Sequence, residues 1–249
     1  MPDFLQLDLR SQSMIEGADG YNIWQVTNAA QTWPAHKTAL LLCDIWDRHW
    51  CRGACERLDA MVGRMDQVVK AVRNAGGLIV HAPSDTMDFY AASPARHRAL
   101  AAPQVEPPPD CERPDPPLPV DASDNGSDTG ETQTQKAWHR QHATIEIDEQ
   151  LDIISDEGPE VYSYMQHCGI EHLLIMGVHT NMCVLHRTFA IKQMVRWGVE
   201  VALIRDLTDA MYNPAMAPYV SHDEGTRLVI EFIEKFWCAS VQSGDVLGG

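Results

Sequence analysis

The sequence predicts a three-layer α/β/α domain with a Rossmann-like, mostly parallel sheet of about six strands. Short, wholly apolar runs recur along the chain, and such runs are typical of strands that are buried on both faces. Between them lie longer segments in which apolar residues return at helical spacing. Strands that alternate with helices favour a parallel sheet covered by helices on both sides.

The clearest unit is a strand, a helix and a second strand in the first third of the chain. Residues 38–44 form an apolar run that ends in Asp44. Residues 78–81 form the second run, after a helical pattern that stops at Gly76 and Gly77. A helix that connects two parallel strands makes a right-handed crossover, so we expect these runs to be parallel.

The second half of the chain continues the alternation. Strands are expected at 144–148, 152–154, 173–176 and 199–204, and helices at 159–168, from about 182 to 198, and after a capping box that begins at Ser221. The sequence contains no internal repeat.

Two segments fall outside this pattern. Residues 1–36 alternate loosely around two glycines and predict a hairpin-like N-terminal extension to a main domain at 37–241. Residues 103–135 form a Pro/Asp-rich insertion, with eight of the fifteen prolines between Pro103 and Pro119. Its 121–126 stretch is similar to the start of a calcium loop, but Thr132 stands where a bidentate Glu is needed. We therefore expect a solvated, ordered loop or a partly mobile lid.

Composition excludes several classes of protein. The 19 basic and 35 acidic residues give a net charge of −16, which repels nucleic acid and anionic membranes. No apolar run approaches the roughly 18 residues of a membrane span, and the N-terminus has no signal-peptide pattern. Seven cysteines without a CxxC pair indicate reduced thiols. These features predict a cytoplasmic protein that binds neither nucleic acid nor membranes.

Two residues at predicted strand ends suggest chemistry. Cys183 follows a strand and a Gly-containing turn and begins a helix, where the helix dipole favours the thiolate and lowers the thiol pKa. Asp44 ends another strand, and ligands of parallel sheets bind at such ends. A carboxylate beside a thiol can take and return its proton. The alternative is a buried, inert cysteine and an aspartate that caps a turn.

Three stretches resemble the isochorismatase-like cysteine hydrolases, a superfamily that includes nicotinamidases and N-carbamoyl amidases. They are residues 40–44, the Gly-Val-His-Thr-Asn-Met-Cys-Val element at 177–184, and residues 198–206. The resemblance covers roughly 37–100 and 144–236. It implies that Cys183 is the nucleophile and Asp44 the general acid/base. It also implies a non-proline cis peptide bond between Val178 and His179, with the N–H groups of His179 and Cys183 directed at the oxyanion.

The chain departs from this family at the third catalytic residue, a lysine just beyond the strand before the cysteine-bearing unit. Here Ser155-Asp-Glu-Gly158 follows that strand. Of the five lysines, Lys136 is the one expected to reach the pocket from a loop. Arg140 or a histidine could substitute electrostatically for the missing lysine.

Several side chains are candidates for the pocket wall. They are Trp46, His49, His81, Lys136, His142 and Asn181, with Trp50 and Trp138 as further aromatic candidates. We expect no cofactor and no metal ligand. A divalent metal held by several of the histidines, with Asp44 or Asp47, is the alternative.

These observations lead to one hypothesis and two alternatives. We expect a cysteine hydrolase that cleaves a C–N bond of a small amide or ureide through a thioester. The alternatives are a vinyl-ether hydrolase, which needs no cysteine, and a catalytically silent binding or assembly protein. The partners expected are a small-molecule substrate and, because the N-terminal extension could pack on a neighbouring subunit, other copies in a homo-oligomer.

Overall fold

Eight strands form one sheet in the computed structural model, which describes residues 3–248. The strands are β1 (Phe4–Glu16), β2 (Asn22–Pro34), β3 (Thr38–Cys43), β4 (Leu78–Ala82), β5 (Ile153–Ile154), β6 (His172–Val178), β7 (Glu200–Asp209) and β8 (Ala239–Val241). The helices are α1 (Arg52–Asn74), α2 (Pro94–Ala101), α3 (Gly158–His167), α4 (Cys183–His186), α5 (Ile191–Arg196), α6 (His222–Phe236) and α7 (Ser243–Val246). Within the described residues, no helix combines the length and apolar character needed to cross a membrane.

The six strands β3 to β8 are mutually parallel, and the sheet order is β2-β1-β8-β7-β6-β3-β4-β5. The chain builds outward from β3 through β4 to β5, and from β6 through β7 to β8 in the opposite direction. Strand order therefore reverses between β3 and β6, where a crevice opens at the carboxyl ends. This confirms the predicted three-layer α/β/α fold.

The apolar runs of the central strands supply two separate cores. Leu40 and Leu42 of β3 pack with α1, while Leu41 and Cys43 pack into the layer that contains α3, α5 and α6. All four side chains are fully buried. A strand with a helical layer on each face needs apolar residues at every position, which explains the unbroken run.

The N-terminal extension is an antiparallel hairpin of two 13-residue strands. It joins the main sheet where Arg10 of β1 pairs with Ser240 of β8. Leu5, Leu7 and Leu9 bury one face of β1 in the core beneath α1. The hairpin therefore extends the sheet, and β2 becomes its outer edge.

The predicted strand at 144–148 is wrong. Two of its N–H groups bond side chains instead of a neighbouring strand, with Glu146 donating to Asp66 at 3.0 Å and Asp148 donating to Asp152 at 2.7 Å. Only Ile153–Ile154 of this region joins the sheet.

The predicted continuous helix from 182 to 198 is also wrong. Its first turn, α4, stops at His186, and Arg187 has extended dihedral angles. The chain resumes as α5 only at Ile191, after Phe189 and Ala190 have entered the core. The break leaves Arg187 at the sheet's carboxyl edge.

The Pro/Asp-rich insertion at 103–135 follows α2 and contains no helix or strand. Ion pairs hold it against the domain. Asp115 accepts from Lys192 of α5 at 2.6 Å, and Asp128 accepts from Arg57 of α1 at 2.8 Å. Its carboxylates thus neutralise cations on two helices, which accounts for part of its acidic composition.

Gly177 permits the close approach of β6 to β3 beside the crevice. Its φ is +128°, and a Cβ at this position would lie 2.0 Å from the carbonyl oxygen of Cys43. We expect Gly177→Ala to lower the free energy of unfolding by about 2 kcal/mol or more, measured by urea denaturation.

The matched control is Gly63→Ala in α1. A Cβ there would meet no described atom within 4 Å, and alanine is the better helix former. This variant should be more stable by about 0.5–1 kcal/mol. Equal midpoints for Gly177→Ala and wild type would contradict the close approach.

Candidate active site

The crevice between β3 and β6 brings together a carboxylate and a thiol. Asp44 directly follows β3 and is fully buried, with a φ of +50°. Its backbone N–H donates to the carbonyl of Ala82 at 3.1 Å, and its carboxylate accepts from the N–H of Ser84 at 2.7 Å. The thiol of Cys183, the first residue of α4, lies near the same carboxyl group and interacts with it electrostatically.

A guanidinium completes this cluster. Arg187 Nε donates to Asp44 Oδ2 at 3.1 Å, and another of its nitrogens lies 3.5 Å from Asp85 Oδ2. The search for a lysine in the sequence missed this residue. The signal was its spacing, because a residue four positions after Cys183 lies on the same side of a helical turn.

Charge in the cluster is set by burial and by these contacts. Burial raises the pKa of Asp44, whereas Arg187 and the hydrogen bonds from Ser84 oppose that rise. Burial and the neighbouring Asp44 together raise the pKa of the Cys183 thiol to about 12. Burial disfavours the charge of Arg187, but Asp44 holds the pKa of this guanidinium above its usual value.

The expectation of a lowered cysteine pKa is therefore wrong. Helix α4 has only four residues, so its dipole is weak, and the negative Asp44 is the nearer influence. The thiol keeps its proton until a base removes it.

The turn between β6 and α4 is rigidly held. The Val178–His179 peptide bond is cis, and the N–H of His179 faces the Cys183 sulfur. Thr180 donates its N–H to Asp209 at 2.8 Å. The Asn181 amide exchanges two hydrogen bonds of 2.9 Å with the backbone of Met211, so Asn181 positions the turn and is not part of the cavity lining described below.

A cavity of about 200 Å³ lies beside the cis bond. Its lining includes the predicted pocket residues Trp46, His49 and His142, together with Val178 and His179. Trp138 stacks on Trp46 with ring centroids 4.1 Å apart. The Trp46 indole donates to the carbonyl of Ser84 at 3.1 Å, which ties the cavity wall to the partner of Asp44.

The imidazoles of His49 and His179 are neutral at physiological pH. Burial lowers the pKa of His49 to about 4 and that of His179 to about 3. His49 Nδ1 accepts from the N–H of Cys51 at 3.2 Å, so the neutral ring carries its proton on Nε2.

The other predicted pocket residues lie elsewhere. His81 is fully buried, with one ring nitrogen 3.0 Å from Gln141 and the other 2.9 Å from Asp152. Lys136 is exposed and donates to the backbone carbonyl of Asp85. Arg140 lies over the ring of Phe89.

The histidines considered as metal ligands do not converge. Throughout residues 3–248, no group of three or more His, Cys, Asp or Glu side chains is arranged to hold a metal ion. The donor set of the described residues therefore does not fit a bound metal.

The raised thiol pKa can be tested by alkylation of Cys183 with iodoacetamide, followed by peptide mass spectrometry. With a pKa of about 12, the alkylation rate of Cys183 should still be rising at pH 10. The rate of an ordinary thiol, whose pKa is about 8.5, has levelled off by that pH. Asp44→Asn removes the negative neighbour, so it should lower the pKa and speed alkylation at pH 9. Exposed Cys111 in the same digests is the internal control. A plateau for Cys183 below pH 8.5 would refute this assignment.

Comparisons with known proteins identify the family and the fold. The isochorismatase domain profile matches residues 38–217, well over half of the chain. Solved structures with a similar fold include a cysteine hydrolase from Pseudomonas syringae pv. phaseolicola, with 13% identity and a TM-score of 0.53 over 86% of this chain and 92% of that one. An isochorismatase from Pseudomonas putida has 10% identity and a TM-score of 0.51 over 84% and 90% of the two chains.

An isochorismatase family protein from Burkholderia thailandensis gives 12% identity and a TM-score of 0.50 over 85% of this chain and 94% of that one. No curated protein matches the sequence. At these identities the solved structures establish the fold alone, whereas the match to the domain profile establishes the family. The chain therefore belongs to the isochorismatase family of hydrolases.

Proposed function

We propose that this protein is a cysteine hydrolase that cleaves the C–N bond of a small amide or ureide without a cofactor. The observation that carries the proposal is the contact of one buried carboxylate, Asp44, with both the Cys183 thiol and the Arg187 guanidinium. A nucleophile that shares its proton with an ion-paired base has the arrangement needed for acyl transfer.

In the first half-reaction, the Cys183 sulfur attacks the substrate carbonyl carbon as its proton passes to Asp44. Because the resting thiol has a raised pKa, this proton transfer accompanies the attack and no free thiolate accumulates beforehand. The carbonyl oxygen becomes an oxyanion. Its stabilising donors are the N–H of His179 and the N–H of Cys183, which has no intrahelical acceptor because it begins α4.

Collapse of the tetrahedral intermediate breaks the C–N bond. Asp44 returns the proton to the departing nitrogen, which leaves as ammonia or an amine, and a thioester on Cys183 remains. In the second half-reaction, water attacks the thioester carbon and gives a proton to Asp44. The sulfur then leaves, takes that proton back, and the free acid departs.

Arg187 takes the place of the family lysine in this scheme. Without a cation, a buried Asp44 would be protonated more readily and could not act as a base. The guanidinium keeps its charge at any working pH and bonds two carboxylates from its planar fork, at Asp44 and Asp85. In this scheme a cation still lies beside the carboxylate, as in the family, but Arg187 supplies it from the end of α4.

The cavity beside the cis bond, whose lining includes none of Asp44, Cys183 and Arg187, supports a small and uncharged substrate in the adjoining site. At about 200 Å³ it accommodates only a compact group, and Trp46 provides an aromatic wall. His49 and His179 are neutral, so they offer hydrogen bonds without attracting an ion. In the lining, the two carboxylates of Asp47 and Asp59 outnumber the one guanidinium of Arg48, which disfavours anions.

Ammonia release from a panel of small primary amides and ureides tests the activity. Cys183→Ala and Asp44→Asn should each lower turnover by about 10²–10⁴-fold, because each removes a group that bonds or transfers a proton in the reaction. Intact-mass analysis of acid-quenched enzyme should show an acyl adduct on wild type and none on Cys183→Ala. Hydroxylamine should release this adduct as a hydroxamate.

The same proteins distinguish the two other functions. A vinyl ether such as isochorismate that is hydrolysed equally by wild type and Cys183→Ala would replace the amidase proposal. A folded wild type that hydrolyses neither class and forms no adduct would instead indicate a silent binding protein.

The pH profile of kcat/KM tests the role of Arg187. Asp44 must be ionised to accept the thiol proton, and burial raises its pKa, so activity should fall with acid above the ordinary carboxyl value of about 3.9. Arg187→Gln removes the charge that opposes this rise. We expect the acid limb to move to higher pH by about 1 unit or more.

Two further variants complete this test. Arg187→Lys should keep the limb near its wild-type position, because the charge is retained. Arg52→Gln is the matched control, since Arg52 is exposed and its guanidinium pairs only with Glu56 among described carboxylates. A uniform loss of activity in Arg187→Gln at every pH, with an unmoved limb, would refute this role.

A further inference from the structure

We propose that β2 is the docking edge for a second copy of this chain, which pairs through its own β2 in an antiparallel, two-fold arrangement centred near Asn28. The two sheets would then form one continuous sheet across the dimer. The proposal is independent of the chemistry at Cys183.

The strand is long and unprotected. Of its 13 residues the first eleven are exposed, and within the part of the chain described it pairs only with β1. Its one proline, Pro34, is the last residue, so the ladder of outward N–H and C=O groups is uninterrupted. Natural proteins block such edges with charges, prolines or bulges, because an open edge pairs with another strand.

The strand also carries no charge. Residues 20–35 contain no Asp, Glu, Lys or Arg, although such residues make up 22% of the chain and its net charge is −16. Most of the surface of so acidic a protein repels a second copy. This edge is a place where two copies can approach without that repulsion, and this favours self-association.

The hairpin is held in position before any partner binds. Trp24 packs edge-to-face on Phe236 of α6 with centroids 5.5 Å apart, and Lys235 lies over the Trp24 ring. At its middle, Arg10 and Gln12 of β1 each donate to Glu234 at 2.8 Å. A preformed strand loses little conformational entropy on pairing. Exposed apolar side chains are available for burial at Met14, Tyr21, Ile23 and Val26.

Antiparallel pairing is the orientation that the charges permit. The hairpin turn bears Glu16 and Asp19, so parallel strands would place two acidic turns side by side. Antiparallel strands place them at opposite ends, about 40 Å apart at roughly 3.3 Å per residue. Pairing about the midpoint, Asn28, uses the whole strand and sets Thr27 of each copy opposite Ala29 of the other. Such a contact is self-complementary and closes as a dimer.

The test is light scattering after size exclusion of the full chain at about 50 μM, with three double variants. Wild type should have twice the 27.8 kDa of one chain. Thr27→Lys/Ala29→Lys sets lysine opposite lysine and should be monomeric. Thr27→Glu/Ala29→Lys changes the same two exposed positions but sets opposite charges together, and should remain a dimer. Gln104→Lys/Gln150→Lys adds the same charge at exposed sites elsewhere and should also remain a dimer.

Hydrogen exchange gives a second readout that does not depend on the variants. In wild type, the alternate β2 amides that do not bond β1 should be protected at 50 μM and should lose protection on dilution. A monomeric wild type at 50 μM, or a dimer that survives the paired lysines, would overturn the proposal. A mass above two chains, or co-purification of a different protein on β2, would also overturn the two-fold pairing.

Discussion

The buried ion pair between Asp44 and Arg187 is the interaction on which the rest of the site depends. A carboxylate removed from water costs several kcal/mol unless its oxygens are bonded, and here Ser84, Arg187 and the Cys183 thiol all contact it. Removing one partner would leave an uncompensated charge at the meeting point of β3 and β6. Each contact therefore both stabilises the fold and adjusts the basicity of Asp44.

The position of this pair follows from the topology of the sheet. Strand order reverses between β3 and β6, so the ends of these strands have no crossing connection above them. Gly177 allows the two backbones to approach more closely than a side chain would permit. The turn at 179–182 is then fixed to β7 through Asp209. Two neighbouring strands and a locked turn thus place Cys183 and Asp44 in contact.

Much of this arrangement could be predicted from the sequence, and the part that could not has a physical explanation. Apolar runs identified the central strands, because a strand that is buried on both faces is apolar at every position. The cation was missed because sequence reasoning looked for a residue type at one strand end, whereas charge can reach a buried carboxylate from any adjacent element. The break after α4 was missed for a related reason. Its residues, including Phe189, suit a helix locally, and tertiary packing overrides that preference.

The charges of the site indicate that, in the proposed reaction, different groups adjust the base and stabilise the oxyanion. Arg187 is shared by Asp44 and Asp85, so its charge is largely committed before a substrate arrives. The imidazoles of His49 and His179 are neutral and supply no second cation. In the proposed reaction, the oxyanion is stabilised by the backbone N–H groups of His179 and Cys183, whose dipoles are fixed by the locked turn. Preorganised dipoles need no rearrangement as charge develops, which makes them effective in a buried site. In the proposed reaction, Arg187 thus adjusts the basicity of Asp44, and the turn stabilises the transition state.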